Sequence, residues 1–494
     1  MNIELKWIRL SLVSLAISGF YSIFIVMLRT PFLSSLFTDK TLFQTALIIH
    51  VDLSVLFWMV CFVMMIMTQN LEKKFEDVVY VVQNLLFLSV FLIFLSPFVG
   101  ESIPLMNNYV PILHNLFFII AIGIFFSSFL IVSTITCLHK DTGKKNIGIL
   151  GILTCTSFAI SAYKLTLIEY PMDLHGFYEM LFWGGGHILQ FIYCAGLICA
   201  LYEFAKDKIE NLVPLKVFLI LNTVFVIPMP FIQTFFTVDS AEYLSMFTEH
   251  MKIFGGIATI ALIFVIVVEW VSVFDSNPYS ESPRKWAAWN PMSLRGAQSA
   301  TWNPGKYLWR SHSKLDLTKP SRNNSSSYES KAGFQAADYA AALNDESAHA
   351  SLAMTSLQTT SLLLSLLLFL FGGVIALMID KVNVTIPAHY HGSIVGISIA
   401  FMGYIYLIID KNYAKINLKH AKYQLIAYFS GQLMHISALA YSGGYGALRK
   451  TPGVELPIQA KVAMGFMGMG GLIAIVAGLF FVYICYTKSI FKLS

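Results

Sequence analysis

The chain has 494 residues, of which 56% are hydrophobic and only 12% charged, with a formal net charge of +5 and a mean hydropathy of +0.68. A soluble protein of this size needs far more polar surface, so the composition points to a lipid-embedded chain and away from a nucleic-acid binder. Six cysteines (Cys61, Cys137, Cys155, Cys194, Cys199 and Cys485) lie in or beside apolar runs with no CxxC or CxxCH spacing. That argues against a disulfide framework, a cysteine-ligated zinc site and covalently attached c-type haem.

Apolar runs of about 20 residues or more recur, long enough to cross ~30 Å of hydrocarbon as helices. In chain order, spans are expected near residues 7–28, 43–68, 77–98, 111–137, 147–169, 178–204, 214–236, 247–273, 352–379, 387–409, 421–442 and 461–486. The first is too long for a signal-peptide core and lacks a small-residue cleavage site, so it reads as a retained span. With a cytoplasmic N-terminus, the inner loops collect Lys73, Lys74, Lys140, Lys144, Lys145, Lys206, Lys208, Lys216, Lys411, Lys415, Lys419 and Lys422. The outer loops carry mainly Arg29, Lys40, Lys381, Arg449, Lys450 and Lys461. This bias gives an even number of spans with both termini cytoplasmic, and the expected location is a bacterial inner membrane.

Residues 1–273 thus hold spans one to eight and residues 351–494 spans nine to twelve. Between them, 274–350 is polar and rich in Ser, Asn and Ala, with Trp286, Trp289, Trp302 and Trp309. It is too long for a simple connection. It reads as a partly disordered cytoplasmic insertion or, from its tryptophans, as a docking surface for a partner subunit.

Ionisable groups are costly inside a membrane, so each one there is a functional candidate. Four histidines stand out: His50 in LIIHVDLSVLFW, His187 in FWGGGHILQF, and His389 and His391 in AHYHGSIVG. Spans two, six and ten all start at the outer face in this topology. At ~1.5 Å per residue the four imidazoles lie about 3–14 Å below it. Imidazole suits haem iron, and bundle interiors are where such cofactors sit. His389 and His391, two apart on a helix, point ~200° away from one another. They cannot share one metal, but they can serve two cofactors. His50 would then complete a six-coordinate haem with one of them, leaving the other haem open towards His187.

This constellation on twelve helices resembles catalytic subunit I of the haem–copper oxidase superfamily, over the whole chain except 274–350. The resemblance implies an all-α integral membrane fold, a twelve-helix transmembrane bundle of that type. It also implies that His50 and His391 hold a low-spin haem, His389 a high-spin haem, and His187 a non-haem metal, iron or copper. GGYGALRKTPG is similar to the superfamily's propionate-neutralising loop and gives that role to Arg449 and Lys450. Gly184, Gly185 and Gly186 allow close approach of a macrocycle, or plain helix packing.

Two departures bear on function. The superfamily's His-His pair at the outer end of span seven is replaced, in PFIQTFFTVDSAEY, by Gln233 and Thr234. The further metal-ligand candidates are therefore Gln233, Asp239, Glu242, Glu249 and His250, and oxygen ligands favour iron over copper. A redox tyrosine one turn after the span-six histidine is also replaced, by Phe191. Loss of the tyrosine, with carboxylates near the metal, favours reduction of NO to nitrous oxide over reduction of O2 to water. The chain has no electron-entry motif of its own. Electrons are expected from a partner subunit, a cytochrome c or a quinol. Two other classes remain: a haem-binding relative without the second metal, and a transporter, for which midplane carboxylates or broken helices are expected.

Overall fold

The structure is a computed structural model that describes residues 2–29, 40–209, 212–275, 346–379, 383–447 and 457–490. Arg449, Lys450 and nearly all of the 274–350 insertion lie outside the described residues. The chain divides into two compact units, residues 1–271 with 361–494, and residues 272–360. The candidate histidines all belong to the first.

The elements run in chain order as α1 (Ile3–Arg29), α2 (Lys40–Val51), a π-helical turn (Asp52–Phe57), α3 (Trp58–Thr68), α4 (Glu76–Leu95), β1 (Ile103–Leu105), β2 (Ile112–His114) and α5 (Leu116–Cys137). Then come α6 (Thr142–Leu165), α7 (Leu174–Ala205), α8 (Leu215–Val224), α9 (Met229–Gln233), α10 (Ala241–Phe254) and α11 (Ile257–Asp275). The last four are α12 (Glu346–Ala376), α13 (Thr385–Asn412), α14 (Leu418–Gly444) and α15 (Ile458–Ile490).

Among the described residues, eleven helical segments are long and apolar enough to cross a membrane. Large apolar side chains such as Phe231 (67%), Phe235 (70%) and Phe264 (67%) stand exposed on the bundle's outside. Only lipid covers such a surface without loss, and the chain is an integral membrane protein. The expected eleventh span is present as α14. Its 27 residues include Gln424, Gln432 and His435, which make it too polar to meet the apolar criterion. The sequence expectation of twelve spans therefore becomes eleven by composition, with α14 as the additional long helix.

Several spans are interrupted. Span two holds the π-helical turn. Span seven is α8 and α9, separated by a turn that ends at Pro228, with Pro230 following, where proline cannot continue the backbone ladder. Span eight breaks between α10 and α11 at Gly255–Gly256. Lys164, at the end of α6, satisfies carbonyls left open past α9, donating to Gln233 O at 3.1 Å and Thr234 O at 2.7 Å. The run expected as the start of span four is instead a short hairpin, with Ile103, Pro104 and Leu105 opposite His114, Leu113 and Ile112.

The centre of the bundle is α7, which packs on both α3 and α13. Every residue of α3 is buried. Phe62 stacks on Phe401 with centroids 3.7 Å apart, and a Cβ on Gly196 would meet the Phe401 ring at 2.6 Å. A second close contact joins α12 to α13. A Cβ on Gly372 would fall within 2.7 Å of the Gly392 carbonyl carbon, and one on Gly396 within 2.7 Å of the Phe369 nitrogen. Backbones this close tolerate only glycine. Gly373, one residue along, has nothing within 4 Å of its Cβ position. Gly372→Val should therefore abolish recovery of monodisperse protein in detergent size-exclusion chromatography, whereas Gly373→Ala should leave it unchanged. Equal behaviour of the two variants would refute this contact.

Candidate functional site

The histidines are oriented by backbone carbonyls. A carbonyl oxygen can only accept, so the ring nitrogen facing it carries the proton, and the lone pair falls on the other nitrogen. His50, at the end of α2, places Nδ1 2.9 Å from Ser18 Oγ and 3.3 Å from Ser18 O. His389, in the first turns of α13, places Nδ1 2.9 Å from Gly372 O, a contact that the glycine-lined approach of α12 permits. Both rings therefore present an Nε2 lone pair, the arrangement by which proteins set imidazole ligands for a metal. Both are half-buried, although spans two and ten are among the most enclosed of the bundle.

The π-helical turn after His50 widens the backbone, and serines of the neighbouring helix take up the displaced carbonyls. Ser18 Oγ donates to His50 O at 3.0 Å and Ser14 Oγ to Leu53 O at 2.6 Å. Ser54 Oγ donates to His50 O at 2.6 Å within the turn. Such turns occur mostly at functional sites. Here the turn begins two residues after His50.

His391 lies on the far side of α13 from His389 and meets a residue that the sequence pattern does not mark. The His435 ring of α14 is 5.1 Å from that of His391, and His435 Nδ1 donates to Met467 O at 2.9 Å. His435 lies in α14, whose glutamines and hydroxyls make a histidine less conspicuous than in a purely apolar run. A second unmarked residue is Asp52, at the start of the π-helical turn. It is fully buried, and among the described residues neither carboxyl oxygen has a hydrogen-bond partner.

His187, on α7, is buried at 3% exposure and differs from the others. Its Nδ1 donates to Trp183 O at 2.7 Å, and Nε2 faces the Tyr109 hydroxyl at 2.7 Å. Tyr109 sits at the tip of the β1–β2 hairpin with φ +65°, a conformation that costs a bulky L-residue of order 1–3 kcal/mol. The loop is held there by Glu179 of α7, which accepts from the Asn108 backbone N–H at 2.7 Å. The three glycines before His187 each admit a different aromatic ring. A Cβ would strike the Tyr243 hydroxyl at 2.6 Å from Gly184, the Phe158 ring from Gly185 and the Tyr109 ring from Gly186.

Of the other metal-ligand candidates, His250 lies near enough to His187 to interact with it electrostatically, but they do not gather into one site. Gln233 is buried but commits its amide to α6, accepting from Ser157 Oγ at 2.6 Å and donating to Ser161 Oγ at 2.9 Å. His250 Nε2 donates to Phe225 O at 2.9 Å. Asp239 is exposed and accepts from the Tyr170 hydroxyl, which holds the carboxyl below its usual range. Glu249 is exposed and pairs loosely with Lys252 at 3.5 Å, and Glu242 is exposed on the first turn of α10. Among the described residues, no three His, Cys, Asp or Glu side chains come together as a metal-ligand cluster.

No protein-family model matches the chain. It is 32% identical to RP382, an uncharacterised protein of Rickettsia prowazekii (strain Madrid E), over 97% of this chain and 94% of that protein. The chain belongs to the RP382 family. An uncharacterised protein of Aquifex aeolicus (strain VF5) is 30% identical over 54% of this chain and 70% of that protein. Among solved structures, a haem–copper terminal oxidase dimer determined by cryo-EM matches with a TM-score of 0.65 over 99% of this chain and 84% of that one, at 14% identity. The RP382-family chain thus has the haem–copper terminal oxidase fold. The superfamily resemblance read from its histidines holds at the level of fold, and a transporter architecture gives way to it.

An orphaned buried carboxyl costs about 1–3 kcal/mol. Asp52→Leu should therefore raise the thermal unfolding midpoint of the detergent-solubilised protein. A lowered midpoint would show that the carboxyl is satisfied.

Proposed function

We propose that this protein is a haem-bearing redox subunit of a respiratory chain, which binds and reduces a small diatomic oxidant, NO or O2, inside the membrane. The observation that carries this reading is the pair of carbonyl- and serine-anchored imidazoles, His50 and His389, in the core of an oxidase-type bundle. His50 and His391 would hold a low-spin haem and His389 a second haem with an open side. Haems so held supply electron storage and an iron position for a diatomic ligand.

The chain's own residues do the positioning. Ser18 fixes the His50 ring and its tautomer, and Gly372 does the same for His389. These contacts also raise the basicity of Nε2, as second-sphere carbonyls do for metal-bound histidines. His389 and His391 on opposite faces of α13 set the two cofactors side by side with one helix between them, a short route for electrons. Arg449 and Lys450 are proposed to neutralise the propionates. Electrons are proposed to come from a partner subunit, a cytochrome c or a quinol, at the face nearest the haems, with the protein in a bacterial inner membrane and both termini cytoplasmic.

Phe191 in place of a tyrosine supports NO over O2, because two NO need two electrons where O2 needs four. The replacement of both span-seven histidines supports the other reading, a haem protein of the same fold without a second metal.

In optical spectra of the purified protein, reduced and then exposed to CO, two haem signals should appear, only one of them shifted by CO. His389→Ala should remove the CO-sensitive signal and spare the other, while His50→Ala should do the reverse. Second-sphere contacts to metal-bound histidine are worth about 10–100-fold in affinity, so Ser18→Ala should weaken retention of the low-spin haem by about that factor. Absence of haem from protein made in a haem-sufficient host would refute the proposal.

A further inference from the structure

Tyr109 and Trp183 between them occupy both nitrogens of His187. The Trp183 carbonyl is an acceptor, so His187 carries its proton on Nδ1. The lone pair then lies on Nε2, and the Tyr109 hydroxyl, 2.7 Å away, donates to it. A metal at His187 needs that same lone pair.

Three features show that the contact is built in. Tyr109 is held at φ +65°, a backbone conformation that persists only where the surroundings impose it. Glu179 imposes it, through the Asn108 N–H at 2.7 Å and the Asn108 side-chain amide at 2.5 Å. Gly186, next to His187, leaves the space that the Tyr109 ring fills. Among the described residues the remaining donors form no replacement site, and His250, which lies near enough to His187 to interact with it electrostatically, commits its Nε2 to Phe225 O. The Gln233 amide is spent on Ser157 and Ser161, and no cluster of three ligating side chains exists among the described residues. The described donor set does not fit a non-haem metal.

We infer that a Tyr109–His187 hydrogen-bonded pair stands in this protein where the superfamily resemblance places the non-haem metal, so that the haem iron is its only metal. This rests on the haem reading above. It narrows that reading: the diatomic ligand meets one metal and a polar pair, and Tyr109 is a positioning residue that fixes the His187 tautomer.

The test is metal analysis with haem quantification on one sample of the purified full-length protein, made in copper- and iron-replete medium, before and after challenge with Cu(II) and desalting. Total iron should equal haem iron, and copper should stay below about a tenth of an equivalent before and after the challenge. About one equivalent of copper or non-haem iron, lost in His187→Ala while haem content is unchanged, would overturn the inference. The two readouts separate the failures. Missing haem counts against the proposed function, whereas a His187-dependent metal counts against this inference alone.

Discussion

The arrangement depends on a hydrogen bond from one ring nitrogen to a backbone carbonyl, repeated at His50, His187, His389 and His435. In a membrane interior an imidazole has no water to satisfy it, so its N–H must find an acceptor within the protein. The carbonyls of helices are mostly spoken for by the ladder. They become reachable where another helix approaches closely, as α12 does at Gly372, or one turn back along the same helix, as Trp183 O is for His187. Once Nδ1 is anchored the ring can no longer rotate or change tautomer, and the direction of the remaining lone pair follows from the fold. The chemistry of each histidine is then decided by what meets Nε2. At His187 that is a tyrosine hydroxyl.

Glycine supplies the proximity that this scheme requires. Gly372, Gly392 and Gly396 bring two helix backbones together without side chains between them, and Gly184, Gly185 and Gly186 admit three aromatic rings beside His187. Each glycine carries a conformational-entropy cost in a helix, about 1 kcal/mol relative to alanine, which only specific contacts offset. Dispersion contacts between such closely packed helices are the main source of stability where lipid is as apolar as the core.

Much of this is legible in the sequence. Hydrophobic length locates nearly every span, and the rarity of histidine in apolar runs singles out His50, His187, His389 and His391. Helical geometry alone sets the last two on opposite faces. What stays hidden arises from tertiary contacts. The serines at positions 14 and 18 read as ordinary small residues until the displaced carbonyls of span two appear opposite them. His435 sits in a span whose glutamines and hydroxyls make one more polar residue look unexceptional. Tyr109 belongs to a loop, and nothing in its neighbourhood signals a left-handed backbone or a partner on α7. The breaks at Pro228 and at Gly255–Gly256 are marked by the residues themselves, yet a continuous apolar run outweighs them. The dispersal of Asp239, Glu242 and Glu249 shows the limit of sequence proximity, because short connections leave these side chains facing away from the bundle.

The most direct measurement is a cryo-EM map of the protein purified with its native cofactors. Macrocycle density is expected between His50 and His391, with a second macrocycle on His389. Continuous side-chain packing between those helices, with no density for a cofactor, would contradict the haem reading.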